Sequence, residues 1–356
     1  MPVMRVVVGM SGGVDSAVAA YLLKEQGYDV VGVTLRTWES GGSRCCEIDD
    51  ARRTAQVLRI PYHTVNCSFD FDNKIKQPFV DCYLHGLTPN PCVLCNQLIK
   101  WEWLLYAAGV YQADAVASGH YVQLIRRENG RYTVRQATDR KKDQSYMLYR
   151  LTQEQLSKTI FPLGNLTKEE VRDIAKNAGL PVAESQDSQE ICFVTNGSYA
   201  DFIRENAAEA ASECGYFVDS AGSILGRHKG IINYTVGQRK GLGLAMGKPV
   251  YVKEIRPETS EIVVAQEEEI YQSEIFCNDV HFMSIPDLPA GEMLRGTVKI
   301  RYHHEGESAL IQACEDDTVR ILFDQPVKAP TPGQSAVFYD QEKSVIGGGI
   351  IKNGVV

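Results

Sequence analysis

Gly9-Met10-Ser11-Gly12-Gly13-Val14-Asp15-Ser16 joins a short apolar run, Arg5 to Gly9, to an Ala- and Leu-rich run, Val14 to Gln26. A buried strand, a glycine loop and a helix in that order leave few folds open to the chain. Gly12 and Gly13 let backbone N–H groups approach an anion with no Cβ in the way. The helix after the loop aims its partial positive charge at the same point. Ser11 and Ser16 add hydroxyl donors, and Asp15 is placed to hold Mg2+ against phosphates. No Lys-Ser/Thr pair comes after the glycines, so this is not the usual mononucleotide P-loop. The bland alternative is a plain turn between strand and helix.

The next 200 or so residues keep alternating short apolar runs with helical patterns, which predicts a mostly parallel sheet covered by helices. Strands are expected at Arg5–Gly9, Asp29–Leu35, Tyr62–Val65 and Ala113–Ser118. Helices are expected at Val14–Gln26, Asp49–Leu58 and Phe71–Leu84. Two alternating runs around Glu128-Asn129-Gly130-Arg131 predict a β-hairpin. Thr167-Lys168-Glu169-Glu170 is a capping box opening a helix that stops before Gly179. After about residue 206 helical periodicity gives way to short strands and Gly-rich turns. Five candidate strands, Gly296–Tyr302, Ser308–Ala313, Thr318–Phe323, Ser335–Tyr339 and Val345–Ile351, predict a small C-terminal β-barrel.

The expected fold is therefore α/β, with domains at 1–206, 207–270 and 271–356: a parallel-sheet domain, a small β-rich linking domain and the barrel. No apolar run reaches the length of a membrane span, and the apolar start reads as a first strand rather than a targeting segment. Ten cysteines at irregular spacing do not suggest a secreted disulfide scaffold. A net charge of −8 argues against nucleic acid as partner. Local potential matters more, and Arg126 to Arg150 holds eight Lys/Arg against three Asp/Glu.

The Ser11–Ser16 run resembles the signature of the ATP pyrophosphatases, which cleave ATP between its α and β phosphates and adenylate a substrate oxygen. A nucleophile must then displace AMP. Thr88-Pro89-Asn90-Pro91-Cys92-Val93-Leu94-Cys95-Asn96 offers two cysteines three apart after a Pro-stiffened turn, and Cys192 lies far along the chain in Gln189–Phe193. If Cys95 opens a helix, its thiol pKa is depressed and its thiolate populated near neutral pH. The alternative for Cys192 is an inert buried residue.

The chain resembles the bacterial tRNA-specific 2-thiouridylases, the MnmA family, over nearly its full length. The matching segments are Gly9–Ser16, Cys45-Cys46, Thr88–Asn96, Gly119-His120-Tyr121, Lys142–Tyr146, Phe161–Gly164, Gln189–Phe193, Tyr234–Gly243, Arg301-Tyr302 and Gly333-Gln334. The resemblance implies a PP-loop (adenine nucleotide hydrolase-like) catalytic domain. Gly9, Met10, Ser11, Gly12, Gly13, Val14, Asp15 and Ser16 would bind the ATP phosphates with Mg2+, and Leu35 and Gly119 the adenosine. The substrate would be the C2 carbonyl of the wobble uridine in tRNAs for Lys, Glu and Gln. Cys192 would carry a persulfide from a cysteine desulfurase or a sulfur-relay protein. Cys95 would be the second catalytic thiol, closing a Cys95–Cys192 disulfide that a reductant reopens. Asn90, Pro91 and Cys92 would line the everted base. His120, Lys142, Asp143, Gln144, Arg301, Tyr302 and Gln334 would touch tRNA. The bland alternatives are a solvated charged hairpin for the basic stretch and a structural histidine at His120.

In one respect the chain departs from that pattern: many members carry Asp, assigned an acid/base or base-positioning role, where this chain has Cys92. Three thiols, Cys92, Cys95 and Cys192, could then hold a 4Fe-4S cluster with one iron open to sulfide. Zinc suits sulfur transfer less well. Cys45 and Cys46 are left without a role, and Cys67, Cys82, Cys214, Cys277 and Cys314 are read as packing residues. The implied setting is the cytoplasm, with no membrane partner. Two rival readings are an RNA- or iron-sulfur-binding module without turnover, and an adenylating synthetase acting on a small metabolite.

Overall fold

The computed structural model describes residues 3–37, 45–185, 191–194, 197–207 and 214–353, with the backbone alone for 45–47. The side chains of Cys45 and Cys46, and residues Gln189 and Glu190, lie outside that description.

The N-terminal sheet is parallel throughout, in the order β3-β2-β1-β4-β7. Its strands are β1 (Arg5–Gly9), β2 (Asp29–Arg36), β3 (Tyr62–Asn66), β4 (Ala115–Ala117) and β7 (Thr159–Ile160). Val6, Val8, Val30, Ala115 and Ala117 face one core, while Val7, Val31, Val33 and Val116 face the other. Successive side chains leave a strand on opposite faces, so near-continuous apolar runs are what a sheet buried on both sides requires. Helices α1 (Val14–Glu25), α2 (Cys45–Leu58) and α8 (Lys168–Asn177) carry residues of the first core. Helix α6 (Glu102–Val110) contributes Leu104, Ala107 and Ala108 to the second.

The predicted hairpin is β5 (Val122–Arg126) with β6 (Tyr132–Gln136). The expected Phe71–Leu84 helix starts earlier and is interrupted: α3 (Ser68–Phe71), a π turn at Asp72–Lys76, then α4 (Gln77–Leu84). A second helical run, allowed for only as a helix opening at Cys95, begins earlier, at Pro91. It comprises α5 (Pro91–Cys95), a π turn at Asn96–Trp101, and α6. Short helices α7 (Gln153–Ser157) and α9 (Tyr199–Asn206) complete the α-helices among the described residues.

The central unit is a four-stranded sheet, order β10-β11-β8-β9, from β8 (Tyr216–Val218), β9 (Ile224–Arg227), β10 (Tyr251–Arg256) and β11 (Glu261–Ala265). The C-terminal unit is a closed barrel of six strands, one more than expected. It comprises β12 (Tyr271–Phe282), β13 (Met293–Lys299), β14 (Glu307–Ala313), β15 (Val319–Lys328), β16 (Ser335–Tyr339) and β17 (Val345–Ile351). β12 was missed because Asn278, Asp279 and His281 interrupt its apolar alternation, where its pairing with β17 also shifts register. Strand β16 joins two units: Ala336 and Phe338 fill the barrel, while Val337 and Tyr339 pack into the core on one face of the parallel sheet. No helix among the described residues is long and apolar enough to cross a membrane.

Candidate active site

In an open parallel sheet, ligands bind beyond the carboxyl ends of the strands where the strand order reverses. Here that point lies between β1 and β4, flanked by Met10–Gly13 and Ser118–Tyr121. Gly12 adopts φ +83°, a left-handed conformation that suits glycine. Ser16 Oγ accepts from Ser11 N (3.1 Å), contacts Ser11 Oγ (3.3 Å) and donates to Gly13 O (3.0 Å). The loop thereby closes on itself at the start of α1. Opposite it, a Cβ on Gly119 would stand 2.7 Å from the Asp15 carbonyl carbon and 2.8 Å from Ser16 N. Only hydrogen fits there.

The Asp15 carboxylate faces two residues that carried no individual signal in the sequence. Lys168 Nζ lies 2.7 Å from Oδ1 and 2.8 Å from Oδ2, and Tyr121 Oη donates to Oδ1 at 2.7 Å. Tyr121 is itself pinned by Gln144, whose N donates to Tyr121 O and whose Oε1 accepts from Tyr121 N, both at 3.0 Å. Lys168 opens α8 directly after its Thr167 cap, so the capping box that forms the helix also delivers this cation.

The thiols meet in a second cluster. Cys67, Phe71, Phe79, Cys95, Phe193 and Val194 are buried together, with Cys192 and Leu35 packed against them. Phe193 sits against the rings of Phe71, Phe79 and Phe202 at centroid distances of 5.7, 5.2 and 5.1 Å, which anchors the neighbouring Cys192. Leu35, near the end of β2, packs both against the core on one face of the sheet and against the thiol-containing cluster, and so links the two.

Cys95 corrects an expectation. Asn90 caps α5 by accepting from Cys92 N at 3.2 Å, which leaves Cys95 at the far end of that turn and 8% exposed. Desolvation pushes its thiol up to about 12; Lys100 opposes the shift, while the neighbouring thiols of Cys192, Cys92 and Cys67 add to it. The resting Cys95 is a thiol, not the thiolate expected of a helix opening. Cys92 is solvent-exposed as a residue, yet its sulfur lies against the protein and is also shifted upward by desolvation, again opposed by Lys100. Cys67, read as mere packing, is a fourth thiol of this cluster, held up to about 12 by burial and directed at Arg36 O (3.3 Å). Among the described residues no three Cys, His, Asp or Glu side chains converge to hold a metal ion.

The residues expected to meet tRNA divide. Arg301 is exposed, donating to Lys328 O at 3.1 Å. Tyr302 is half-buried and donates to Asp143 O at 3.0 Å. The Asp143 side chain is buried, bound by Ala137 N, Ser145 N and Ser145 Oγ. His120 sits at a tilt against Trp101 (ring centroids 5.5 Å apart) and is bonded to Ser118 Oγ (2.8 Å); burial, then Lys100, holds its pKa well below the usual value. Lys142 is half-buried, its N donating to Asp139 O. The basic stretch faces inward more than expected. Arg127 pairs with Asp340 (2.8 Å), Arg131 donates to Met283 O and Phe282 O, and Arg150 pairs with Asp279 (2.7 Å), all on the barrel side. Arg126, Arg140 and Lys141 remain exposed.

Three family models match consecutive stretches of the chain: a tRNA methyl transferase HUP domain over residues 4–196, a tRNA methyl transferase PRC-barrel domain over 200–266, and an aminomethyltransferase beta-barrel domain over 272–351. The chain is 48% identical to the tRNA-specific 2-thiouridylase MnmA of Lachnoclostridium phytofermentans, covering 98% of this chain and 99% of the relative. It is 50% identical to tRNA-specific 2-thiouridylase MnmA 2 of Caldanaerobacter subterraneus subsp. tengcongensis, covering 99% and 98%. A solved 4-thiouridine synthetase–RNA complex with bound ATP aligns at TM-score 0.38 and 16% identity over 58% of this chain and 51% of that one, too remote to carry an argument.

Proposed function

The chain belongs to the tRNA-specific 2-thiouridylase family, and from that premise we propose how its residues divide the work. It is an ATP-using tRNA sulfurtransferase that makes 2-thiouridine. The methyl-transferase wording of two family models does not suit a site built from a phosphate loop and converging thiols; the thiouridylase name of the full-length relatives does. We take the working units as 1–206 for catalysis, 207–270 as linker and 271–356 as the tRNA-gripping barrel.

The loop from Gly9 to Ser16 holds the phosphates of ATP, with Leu35 and Gly119 beside the adenosine. The Lys168 ammonium already occupies a cation position against Asp15, so the carboxylate suits Mg2+, which would neutralise phosphate charge there. The wobble uridine of tRNA for Lys, Glu or Gln is everted against Asn90, Pro91 and Cys92, because its O2 is out of reach inside the anticodon stack. O2 attacks the α-phosphorus, pyrophosphate leaves, and C2 becomes an electrophile with AMP as leaving group. Cys192 enters as a persulfide charged by a cysteine desulfurase or a relay protein. Its outer sulfur attacks C2, Cys95 then attacks the Cys192 Sγ, and the S–S bond of the persulfide breaks. Sulfur stays on C2 as AMP departs, and a Cys95–Cys192 disulfide remains for a dithiol reductant. Arg301 and the exposed Arg126, Arg140 and Lys141 meet RNA phosphate. Such chemistry belongs in a reducing cytoplasm.

A single observation carries this reading: Cys95 and Cys192 share one buried cluster, and Leu35 of β2 packs against both that cluster and the core of the parallel sheet. The cluster alternative, 4Fe-4S on Cys92, Cys95 and Cys192, finds no three-ligand arrangement among the described residues, and no step is routed through it. The test is thiolation of a purified anticodon stem-loop with ATP, cysteine and a desulfurase, with iron supplied or withheld. We expect 2-thiouridine by nucleoside mass spectrometry without iron, lost in Cys95→Ser and Cys192→Ser. Normal product from Cys192→Ser, or activity only with bound iron and sulfide, would overturn the persulfide route.

A further inference from the structure

The thiol loop is not held by its own domain alone. Thr88, the first residue of Thr88–Asn96, has both backbone polar groups taken by one turn of the barrel. Its N donates to Pro332 O at 2.9 Å, and its O accepts from Gln334 Nε2 at 2.8 Å. Between them, Gly333 adopts φ +90°, and a Cβ there would stand 2.9 Å from Thr88 N and 3.1 Å from Leu87 Cβ. The close approach therefore needs glycine on both conformational and steric grounds. The central unit joins the same junction: Thr88 Oγ1 contacts Thr235 Oγ1 at 3.5 Å, and Thr331 Oγ1 donates to Val236 O at 3.3 Å.

From Thr88 to Cys92 the chain is short and stiff. Pro89 and Pro91 fix their own φ angles and restrict the residues before them, and Asn90 is locked as the cap of Cys92. A displacement at Thr88 therefore passes to Cys92 with little slack to absorb it. On the barrel side, Arg301 donates to the carbonyl of Lys328, three residues before Thr331, so an exposed cation of the barrel is bonded to the strand that leads into the bracket.

We propose that Pro332, Gly333 and Gln334 are positioning residues for the thiol loop, coupling the barrel's hold on RNA to the placement of Cys92 and Cys95. This rests on the thiouridylase reading, and it assigns the Gln334 amide to the protein backbone rather than to tRNA. A slack bracket leaves RNA bound but the thiols misaligned, and sub-ångström misplacement of reacting groups is enough to slow chemistry substantially.

The full-length protein with Gln334→Met keeps side-chain length while losing the amide, and Gly333→Ala breaks the same bracket without changing a polar side chain. Three readouts are taken: kcat for stem-loop thiolation at saturating RNA, RNA Kd by filter binding, and the iodoacetamide rate at Cys92 by peptide mass spectrometry in the free protein. Both variants are expected to lose about tenfold in kcat, to keep RNA Kd within about twofold, and to alkylate Cys92 several-fold faster. A weakened RNA Kd with kcat intact would make Gln334 an ordinary RNA contact and overturn the proposal. So would parent-like alkylation in both variants. Absence of thiolation by the parent protein would count against the thiouridylase reading itself, while the alkylation arm still reports on the bracket.

Discussion

The Lys168 ammonium spans the Asp15 carboxylate, 2.7 and 2.8 Å from its two oxygens, across 153 residues of sequence. The lysine is 12% exposed in its side chain and the aspartate 33%, so the pair sits in a partly dry crevice where charge interactions are stronger than at an open surface. Without nucleotide the lysine neutralises the one carboxylate of the phosphate loop. On the proposed assignment, triphosphate bound at Gly9–Ser16 would bring new negative charge beside the same ammonium.

Replacing Lys168 with Met should therefore lower kcat/KM for ATP by roughly 10²–10³-fold, the usual scale for removing one preorganised charge from a reacting centre. RNA affinity should not change. Steady-state kinetics with ATP varied at fixed stem-loop would decide it, and a parent-like kcat/KM would show that the lysine serves the fold alone.

Gly119→Ala tests the crevice from its other wall. The new methyl meets the Asp15 carbonyl carbon at 2.7 Å and Ser16 N at 2.8 Å, both backbone atoms that cannot swing away. The loop must shift, and overpacking of this kind commonly costs about 1–3 kcal/mol. ATP binding by calorimetry should weaken by an order of magnitude or more, with the barrel and its RNA affinity intact.

Cys92 and Cys95 should react with iodoacetamide in a fixed order. Cys92 is solvent-exposed as a residue, though its thiol too is shifted upward, while Cys95 is buried with its thiol pushed up to about 12, and only the thiolate attacks. Peptide mass spectrometry at pH 8 should find Cys92 modified first, and Cys95 only as the pH climbs well past 9. The same raised values make alkali destabilising. Folded Cys67 and Cys95 bind their protons more tightly than the unfolded chain does, so the stability they confer is whole below about pH 9 and fades as pH rises toward 12. Chemical denaturation at pH 8 and pH 10.5 should show a lower midpoint at the higher pH, with part of that loss removed in Cys67→Ala.

Local signals were the legible ones. The loop at Gly9–Ser16, the capping box at Thr167 and the hairpin at Asn129-Gly130 each depend on neighbours in sequence, and each stands in the structure where its pattern put it. Lys168 was visible only as the second residue of a capping box, because nothing local records that α8 points it at Asp15. The helix after Pro91 was hidden behind a Pro-rich start and a π turn, and its continuation moved Cys95 from an expected helix opening into a buried cluster. The basic stretch was only partly legible for a related reason: charge composition cannot tell an outward-facing arginine from Arg127 or Arg150, which pair with Asp340 and Asp279 of the barrel.

Phe193 bears on the central geometric claim most directly. Its ring is 7% exposed and meets Phe71, Phe79 and Phe202, so truncation to Ala removes a core aromatic, a change worth about 3 kcal/mol or more where the site cannot collapse. Because the ring anchors a short segment, the loss should appear first as release of Cys192 and only later as global unfolding. In Phe193→Ala, alkylation at Cys192 should quicken, diamide should yield less Cys95–Cys192 disulfide, and thiolation should fall while ATP affinity holds. A variant that forms the disulfide as readily as the parent would mean that something other than this aromatic anchor brings the two sulfurs together.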